Sequence, residues 1–375
     1  MEKILVAMDS FKGCLGSLEA GEAVRRGLLR GRSDAEVEVL AIADGGEGTA
    51  EAMHTYLGGR FVECETHDAL MRRVTGRILL CDGGKKAVVE MAQASGLARL
   101  RIEERSAMQA TSYGFGELIR KGAECGAEEI ICTLGGSATN DAGLGALQAL
   151  GLRIYTDGGE IRRPVIGSDL ADITGFDTSA MAWLGDLKIS YLYDADIPFT
   201  GPEGAVGLYS AQKGASAEEM IRLERGMKNV KRLIEITSGR LMASVRGAGA
   251  AGGTGGGLAC LAGALPSRGI DAVLEVAHFA QRLRGVVLVI TGEGRADAQT
   301  RQGKAADGIL RACRRQGVPV VLMAGEIVGE EALLSDGYVR LIGINSGYND
   351  TLSHKMEPDV ASRRLEKAAL MLKGK

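Results

Sequence analysis

The sequence predicts an α/β protein of two domains: a parallel-sheet domain built from both chain ends, and an inserted domain with a mixed sheet. Strand and helix patterns alternate at the start of the chain and again after residue 285, whereas short strand patterns follow one another closely between them. The chain has 375 residues, more than the roughly 250–300 at which a single core stops growing. We therefore expect one domain from residues 1–65 and 285–375, and a second from residues 66–284.

The start of the chain contains two strand–helix pairs. The apolar run Lys3–Met8 predicts a strand, and residues 18–29 have the spacing of an amphipathic helix. A second strand pattern, Val37–Ala43, leads into a helix that ends near residue 57. Strands that alternate with helices in this way indicate a parallel sheet.

The pattern changes after residue 60, where three short strand patterns are separated only by turns: Phe61–Cys64, Val74–Cys81 and Ala87–Met91. Connections this short imply antiparallel pairing. Further along, an apolar run over residues 130–134 stops at two glycines, and an Ala/Leu-rich helix is expected from about residue 142 to 150. The alternation of strands and helices returns with the strand pattern Val286–Thr291.

Composition excludes several classes of protein. The formal net charge of -3 and a pI near 6.0 give no electrostatic case for binding nucleic acid or an anionic membrane. Seven scattered cysteines without a CxxC motif favour a reduced, cytoplasmic chain without structural zinc. Glycine is abundant, at 55 residues, which is about twice the usual share. The glycines cluster beside acids and hydroxyls, as in tight turns that approach a ligand.

Acidic residues follow several predicted strands, each in a glycine-rich or polar turn. They are Asp9 near Lys12, Asp44 near Glu47, Asp141, Asp194 with Asp196, and Glu293 near Arg295 and Asp297. Ligands in open parallel sheets bind beyond the carboxyl ends of the strands. Each acid alone is well explained as a turn or capping residue. Five such turns in one chain favour a shared site.

The segment from residue 134 to 151 places Ser137, Thr139 and Asn140 between a glycine turn and a helix. Backbone N–H groups at a helix N-terminus bind anions well. Asp141 would repel a phosphate unless a cation lay between them. The segment therefore indicates a metal–phosphate or hydroxyl-binding site, and a simple helix cap is the alternative.

The acids, scattered Lys and Arg, hydroxyls and glycine turns suit phosphoryl transfer, in which positioning and cations do most of the work. No histidine falls in these turns and no GxSxG motif is present, so a Ser-His-Asp hydrolase is poorly supported. The sequence also lacks a Walker A motif. The letters GxGxxG occur within 247–252 but follow a helix pattern instead of a strand, so a dinucleotide site is weakly supported. That segment is either a linker or a loop that opens onto a helix.

Six motifs, in this order, resemble the type-1 glycerate kinase family almost end to end: DSFKG (9–13), ADGGEGT (43–49), GGSATNDAGLGALQALG (135–151), QKGA (212–215), GAGAAGG (247–253) and TGEGRADAQTRQGK (291–304). The resemblance implies ATP- and Mg²⁺-dependent phosphorylation of D-glycerate, usually on the 2-hydroxyl. It also implies one Rossmann- or flavodoxin-like domain and one restriction-endonuclease-like domain. Ile197 departs from the family pattern, which has Asn in its place, and this keeps another small hydroxy or sugar acid open as substrate.

The resemblance and the chemistry together suggest roles for the acceptor side of the site. The substrate carboxylate would meet Lys12 or Arg295, with Asp9, Ser10 and Glu47 close by. Asp194 is the expected general base, and Asp44 and Asp297 are its rivals.

The nucleotide side is expected to use hydroxyls, lysines and glycine backbone. The residues assigned to ATP are Ser137, Thr139, Asn140, Lys213, Gly249, Gly252, Gly253 and Lys304. The residues assigned to Mg²⁺ are Asp141, Asp196 and Glu293, since Mg²⁺ is usually held by one or two carboxylates plus phosphates. The active site is expected between the domains, in a monomer or homodimer. A ligand sensor without catalysis and a kinase of the 3-hydroxyl remain alternatives.

Overall fold

The computed structural model describes residues 2–298, 300 and 303–372. Three residues of the last predicted motif (299, 301 and 302) lie outside this range. The chain divides into two compact units. Unit 1 comprises Met1–Asp44, Glu51–Tyr56 and Ile270–Lys375, and unit 2 comprises Gly45–Ala50 and Leu57–Gly269.

The strands are β1 (Lys3–Met8), β2 (Glu36–Val39), β3 (Arg60–His67), β4 (Arg73–Cys81), β5 (Lys86–Glu90), β6 (Glu129–Thr133), β7 (Arg153–Thr156), β8 (Gly159–Glu160), β9 (Ile173–Asp177), β10 (Lys188–Tyr193), β11 (Leu265–Arg268), β12 (Val286–Ala296), β13 (Val320–Ile327) and β14 (Arg340–Gly343). The helices are α1 (Ser17–Gly31), α2 (Thr49–Leu57), α3 (Ala92–Ser95), α4 (Tyr113–Glu124), α5 (Leu144–Ala149), α6 (Ala205–Tyr209), α7 (Ala217–Ser238), α8 (Ala250–Leu261), α9 (Gly269–Val276), α10 (Phe279–Arg282), α11 (Ala305–Arg314), α12 (Glu330–Asp336), α13 (Leu352–Lys355) and α14 (Pro358–Leu370).

Unit 1 contains a five-stranded parallel sheet in the order β14-β13-β12-β1-β2. The chain moves from β1 outward to β2 on one side, and from β12 outward to β13 and β14 on the other. The strand order therefore reverses between β1 and β12. In open α/β sheets, this reversal opens the crevice in which ligands bind.

The strand β1 is a continuous apolar run because it is buried. The residues from Ile4 to Met8 are all fully buried, as expected for a central parallel strand covered on both faces. One face packs on α1 through Val24 and Leu28, and α14 adds Leu365 to the same core. The predicted parallel-sheet architecture is confirmed.

Unit 2 contains a six-stranded mixed sheet in the order β11-β10-β6-β5-β4-β3 and a small sheet in the order β8-β7-β9. The pairs β3–β4 and β4–β5 are antiparallel, as the short connections predicted, and β5, β6, β10 and β11 are parallel. Because β3 pairs with β4, it lies in unit 2, whereas the sequence prediction assigned its residues up to 65 to the domain of both chain ends.

Two boundaries near the predicted site residues differ from the sequence prediction. The strand β12 runs on to Ala296, because Arg295 and Ala296 continue its pairing with β13. The helix α5 begins at Leu144, two residues later than expected, because Ala142 and Gly143 have left-handed backbone angles. Among the described residues, no helix is long and apolar enough to cross a membrane.

Candidate active site

A cavity of about 720 Å³ in unit 1 opens at the carboxyl ends of β1, β12, β13 and β14. Seven residues predicted for the site line it: Asp9, Ser10, Lys12, Asp44, Glu293, Arg295 and Lys304. The topology explains this meeting, because Asp9 follows β1 and Glu293 lies near the end of β12, on either side of the reversal in strand order.

Backbone hydrogen bonds fix the turn after β1. The N–H of Asp9 donates to Gly292 O at 2.8 Å, which continues the pairing of β1 with β12 beyond the strand. The N–H of Ser10 donates to Asp9 Oδ1 at 2.7 Å and orients the carboxylate. A tight turn closed by Phe11 N–H and Leu15 O at 2.8 Å then exposes Lys12.

The carboxylates of this cavity perturb one another. Burial, and next the nearby Asp44 carboxylate, raise the pKa of Asp9 well above its ordinary value. Burial also raises the pKa of Glu293, with Lys304 opposing it. Buried acids with raised pKa values in a cavity are typical of functional sites.

Glu293 has an unsatisfied oxygen. Its Oε1 atom is buried and has no hydrogen-bond partner among the described residues, while its Oε2 atom lies 3.6 Å from Lys304 Nζ. A buried carboxylate oxygen left unpaired is costly. A donor or a cation brought by a ligand would satisfy it.

Arg295 is already engaged by two acids. Its Nε atom lies 3.2 Å from Asp297 Oδ2, and its Nη1 atom lies 3.2 Å from Glu326 Oε2. These pairs weaken the case for Arg295 as the anchor of a substrate carboxylate. Lys12, the alternative that the sequence left open, lines the same cavity, and its charge acts on the Asp9 carboxylate.

A second group of predicted residues meets inside unit 2, around Lys213. The ammonium group of this buried side chain donates to Ser137 Oγ at 2.9 Å and to Thr139 O at 2.7 Å. Ser210, which the sequence analysis missed, donates from its hydroxyl to Asn140 Oδ1 at 3.1 Å. Ser210 precedes Lys213 by three residues, so both come from the segment that follows α6.

This cluster contains polar atoms that lack partners. Thr139 Oγ1 and Asn140 Nδ2 are buried and make no hydrogen bond to any described residue. Burial lowers the pKa of Lys213 to about 7, and the nearby Asp141 carboxylate opposes the shift. A hydroxyl, an amide N–H₂ and an amine without an adjacent ion-pair partner suit an anion such as phosphate.

The glycine-rich loop at the start of α8 packs directly on this cluster. Ala251, Gly252 and Gly253 all have positive φ, and Gly252 O accepts a hydrogen bond from Ala142 N–H at 3.0 Å. A Cβ atom on Gly252 would lie 2.0 Å from Thr139 O, so only glycine allows this approach. The predicted ATP residues Gly249 and Gly253 belong to the same loop, joined by a 3.2 Å backbone hydrogen bond.

Asp141 does not fit the metal role suggested by the sequence. Its carboxylate is fully buried and accepts four hydrogen bonds, from Ser112 N–H, Ser112 Oγ, Gly143 N–H and Gly145 N–H, at 2.7 to 3.2 Å. Both oxygens are therefore occupied by donors, from Ser112 before α4 and from Gly143 and Gly145 at the start of α5. This geometry fits a residue that shapes the loop.

Asp196 is occupied in a similar way. Its two oxygens accept from Arg246 Nη1 and Gly247 N–H, each at 2.7 Å. Asp194, in unit 2, accepts from Ala195 N–H at 2.8 Å. Within the described ranges, no group of three or more His, Cys, Asp and Glu side chains is placed to hold a metal ion.

The acid turn at Glu47 is anchored by a residue that the sequence analysis overlooked. Glu90 is buried at the end of β5, and its Oε1 atom accepts from Ala50 N–H at 3.0 Å. Gly135 N–H donates to Gly45 O at 3.1 Å. The turn containing Glu47 and the loop containing Ser137 are therefore neighbours. Its position at the end of a predicted strand is the signal by which Glu90 could have been recognised.

The parallel sheet of unit 1 carries acids where its strand order reverses, and unit 2 carries a buried lysine–hydroxyl cluster beside a glycine loop. These features indicate an α/β enzyme of the phosphotransferase class. The sequence profile of the Glycerate kinase family matches residues 4–372. The chain belongs to the glycerate kinase family and is a kinase.

Individual relatives support the assignment to this family. Glycerate kinase of Bacillus subtilis (strain 168) is 38% identical over 360 residues, which cover 95% of this chain and 94% of that protein. Glycerate 2-kinase of Escherichia coli (strain K12) is 35% identical over 330 residues, covering 88% and 86%. The crystal structure assigned as glycerate kinase 2 from Salmonella typhimurium LT2 superposes with a TM-score of 0.81 at 35% identity, covering 99% of this chain and 97% of that chain.

Proposed function

We propose that this kinase transfers the γ-phosphoryl group of ATP to the 2-hydroxyl of D-glycerate. The observation that carries the proposal is the cluster around Lys213, where a buried amine lies beside unpartnered polar atoms of Thr139 and Asn140. In phosphoryl transfer the protein supplies position and positive charge, and this cluster supplies both. Relatives named glycerate kinase and glycerate 2-kinase support the substrate and the position of transfer.

The acceptor acid is assigned to the cavity of unit 1. Its carboxylate meets the Lys12 ammonium at the exposed turn after β1, and Ser10 and Asp44 lie in the same cavity to receive its hydroxyls. Lys304 beside Glu293 adds positive charge near the reacting group.

Mg²⁺ is part of the proposal. Because Asp141 and Asp196 are occupied by hydrogen-bond donors, Glu293 is the carboxylate that fits best, with its unpartnered Oε1 atom. Mg²⁺ usually takes one or two carboxylates and completes its shell with phosphates and water. When bound, the ion would neutralise charge on the phosphate oxygens.

A carboxylate is expected to take the proton from the acceptor hydroxyl. Asp194 is our candidate from the sequence, with Asp44 and Asp297 as its rivals. We add Asp9 as a further candidate, because burial and the Asp44 carboxylate raise its pKa, and acids with raised pKa values are typical of functional sites.

The experiment is phosphorus NMR of the product formed from D-glycerate and ATP. A resonance coupled to the C2 proton is expected. Coupling to the C3 protons would show that the 3-hydroxyl accepts the phosphoryl group instead. If no ADP forms, D-glycerate is not the substrate.

A larger hydroxy acid is a second candidate, because the cavity of about 720 Å³ lies within the usual range for sites of drug-sized ligands. A coupled ADP assay with D-glycerate, tartronate and four- to six-carbon sugar acids decides between them. The highest kcat/KM is expected for D-glycerate. A larger value for a longer acid would identify that acid as the substrate.

A further inference from the structure

A second cavity in unit 1, of about 240 Å³, lies beside α13 and α14 and is lined by Tyr348, His354, Val360, Arg363, Arg364 and Lys367. Three of its six lining residues are cationic at neutral pH, and none is acidic. The volume is below the roughly 300–1,000 Å³ typical of drug-sized ligands. It suits a small anion.

Tyr348 fixes two of the cations. The guanidinium carbon of Arg364 lies 3.9 Å from the centroid of the Tyr348 ring, and Lys367 Nζ donates to Tyr348 OH at 3.0 Å. Arg364 is only 8% exposed and also donates to Asn345 Oδ1 at 2.6 Å. The cations are therefore positioned before any ligand arrives, which reduces the entropy lost on binding.

The local carboxylates do not balance this charge. Asp350 pairs with Arg364, and Glu357 pairs with His354 at 3.0 Å. Arg363 and Lys367 form no ion pair within residues 2–298, 300 and 303–372. Hydrogen bonding from Arg364, and then the charges of Arg364, His354 and Lys355, lower the pKa of Asp350, which favours the ionised form that pairs with Arg364.

We propose that Arg363, Arg364 and Lys367 around Tyr348 form a second anion site that takes a phosphate group, distinct from the cavity that contains Asp9. Arginine and lysine side chains in this arrangement match the oxygens of a phosphate. The source is either free phosphate or a small phosphate monoester such as the product of a kinase.

Two short structural connections join this site to the larger cavity. Asn345, which accepts the hydrogen bond from Arg364, lines the larger cavity. On α14, Val360 lines the small cavity and its neighbour Ala361 lines the large one. Phosphate on Arg364 therefore changes the restraint on Asn345 and alters the binding of the acceptor acid.

The test is calorimetric titration of inorganic phosphate, and separately of 2-phosphoglycerate, at constant ionic strength with ATP saturating. The double variant Arg363→Gln/Lys367→Gln removes two exposed cations from the site. The matched control, Arg315→Gln, removes an exposed cation elsewhere in unit 1.

Phosphate is expected to bind the wild-type protein and the control equally, and the double variant at least about tenfold more weakly. Tighter binding of 2-phosphoglycerate that the double variant loses would identify a monoester as the ligand of this site, and tighter binding of phosphate that the double variant loses would identify the free ion. Equal binding to all three proteins, or no binding to the wild type, would overturn the site, whatever the substrate of the kinase proves to be.

The coupling has its own readout. Phosphate is expected to change the KM for the acceptor acid in the wild-type protein and in Arg315→Gln, but not in the double variant. A KM that phosphate leaves unchanged in every protein would overturn the coupling.

Discussion

The ammonium nitrogen of Lys213 lies 2.9 Å from Ser137 Oγ in the interior of unit 2. Lysine is rarely buried without a carboxylate partner. Here its immediate partners are a hydroxyl and the carbonyl of Thr139. This arrangement is costly in the empty protein, and an incoming phosphate would offset the cost.

The pH dependence of ATP binding follows from the pKa of Lys213, which burial lowers to about 7. Above that pH the empty protein carries a neutral amine, whereas bound phosphates favour the ammonium form. We therefore expect the affinity for ATP to fall as the pH rises above about 7, by up to about tenfold per pH unit. Calorimetry from pH 6 to 9 measures this and should show proton uptake on binding. A profile no steeper than that of Lys213→Met would contradict the assignment.

The Gly252→Ala variant tests the packing of the glycine loop. A Cβ atom at Gly252 would lie 2.0 Å from Thr139 O, at a φ of +68°. The matched control is Gly263→Ala, at a φ of +69° with nothing within 4 Å of the new Cβ atom. Both should lose about 1–2 kcal/mol from left-handed strain. Gly252→Ala should lose about 1–3 kcal/mol more from overpacking. Equal midpoints of urea unfolding for Gly252→Ala and Gly263→Ala would show that the close approach to Thr139 O does not contribute to stability.

Asp141→Asn separates the loop-shaping role of Asp141 from a metal role. The carboxylate accepts four hydrogen bonds, and an asparagine N–H₂ group would face donors instead. We expect a loss of about 2–3 kcal/mol in the free energy of unfolding. The exposed Asp157→Asn is the control, with no measurable change. Wild-type stability combined with a higher Mg²⁺ requirement would restore Asp141 as a metal ligand.

The general base is tested by Asp194→Asn, with Asp9→Asn and Asp44→Asn measured beside it. Loss of a general base typically costs about 10²–10⁴-fold in rate. We expect Asp194→Asn to lower kcat by at least about 10²-fold with KM for ATP little changed. If Asp194→Asn keeps a near-normal kcat and Asp9→Asn loses at least about 10²-fold in kcat, the general base is Asp9.

Sequence patterns predicted the residues that follow strands, because strand ends in a parallel sheet meet at one edge. Asp9, Asp44 and Glu293 were found in this way and line one cavity, although β12 continues past Glu293 to Ala296. The role of Asp141 was not predictable, since its partner Ser112 lies 29 residues away in the sequence. Glu90 was missed for a related reason: its bond to Ala50 depends on how two distant segments pack.

The same limit applies to Lys213. Its motif marked it as a candidate, but only the packing of the segment after α6 against residues 137–140 shows that it is buried. Ser210 carried no motif signal that distinguished it from an ordinary loop serine. Tertiary contacts of this kind leave no periodic trace in the sequence.

The central claim is that ATP binds at the Lys213 cluster and the acceptor acid binds in the cavity that contains Lys12. Calorimetric titration of ATP and of D-glycerate into the wild-type protein, Lys213→Met and Lys12→Met tests it directly. Lys213→Met should weaken ATP binding by at least about tenfold and leave D-glycerate binding unchanged. Lys12→Met should weaken D-glycerate binding by at least about tenfold and leave ATP binding unchanged. Wild-type affinity for ATP in Lys213→Met would contradict the central claim.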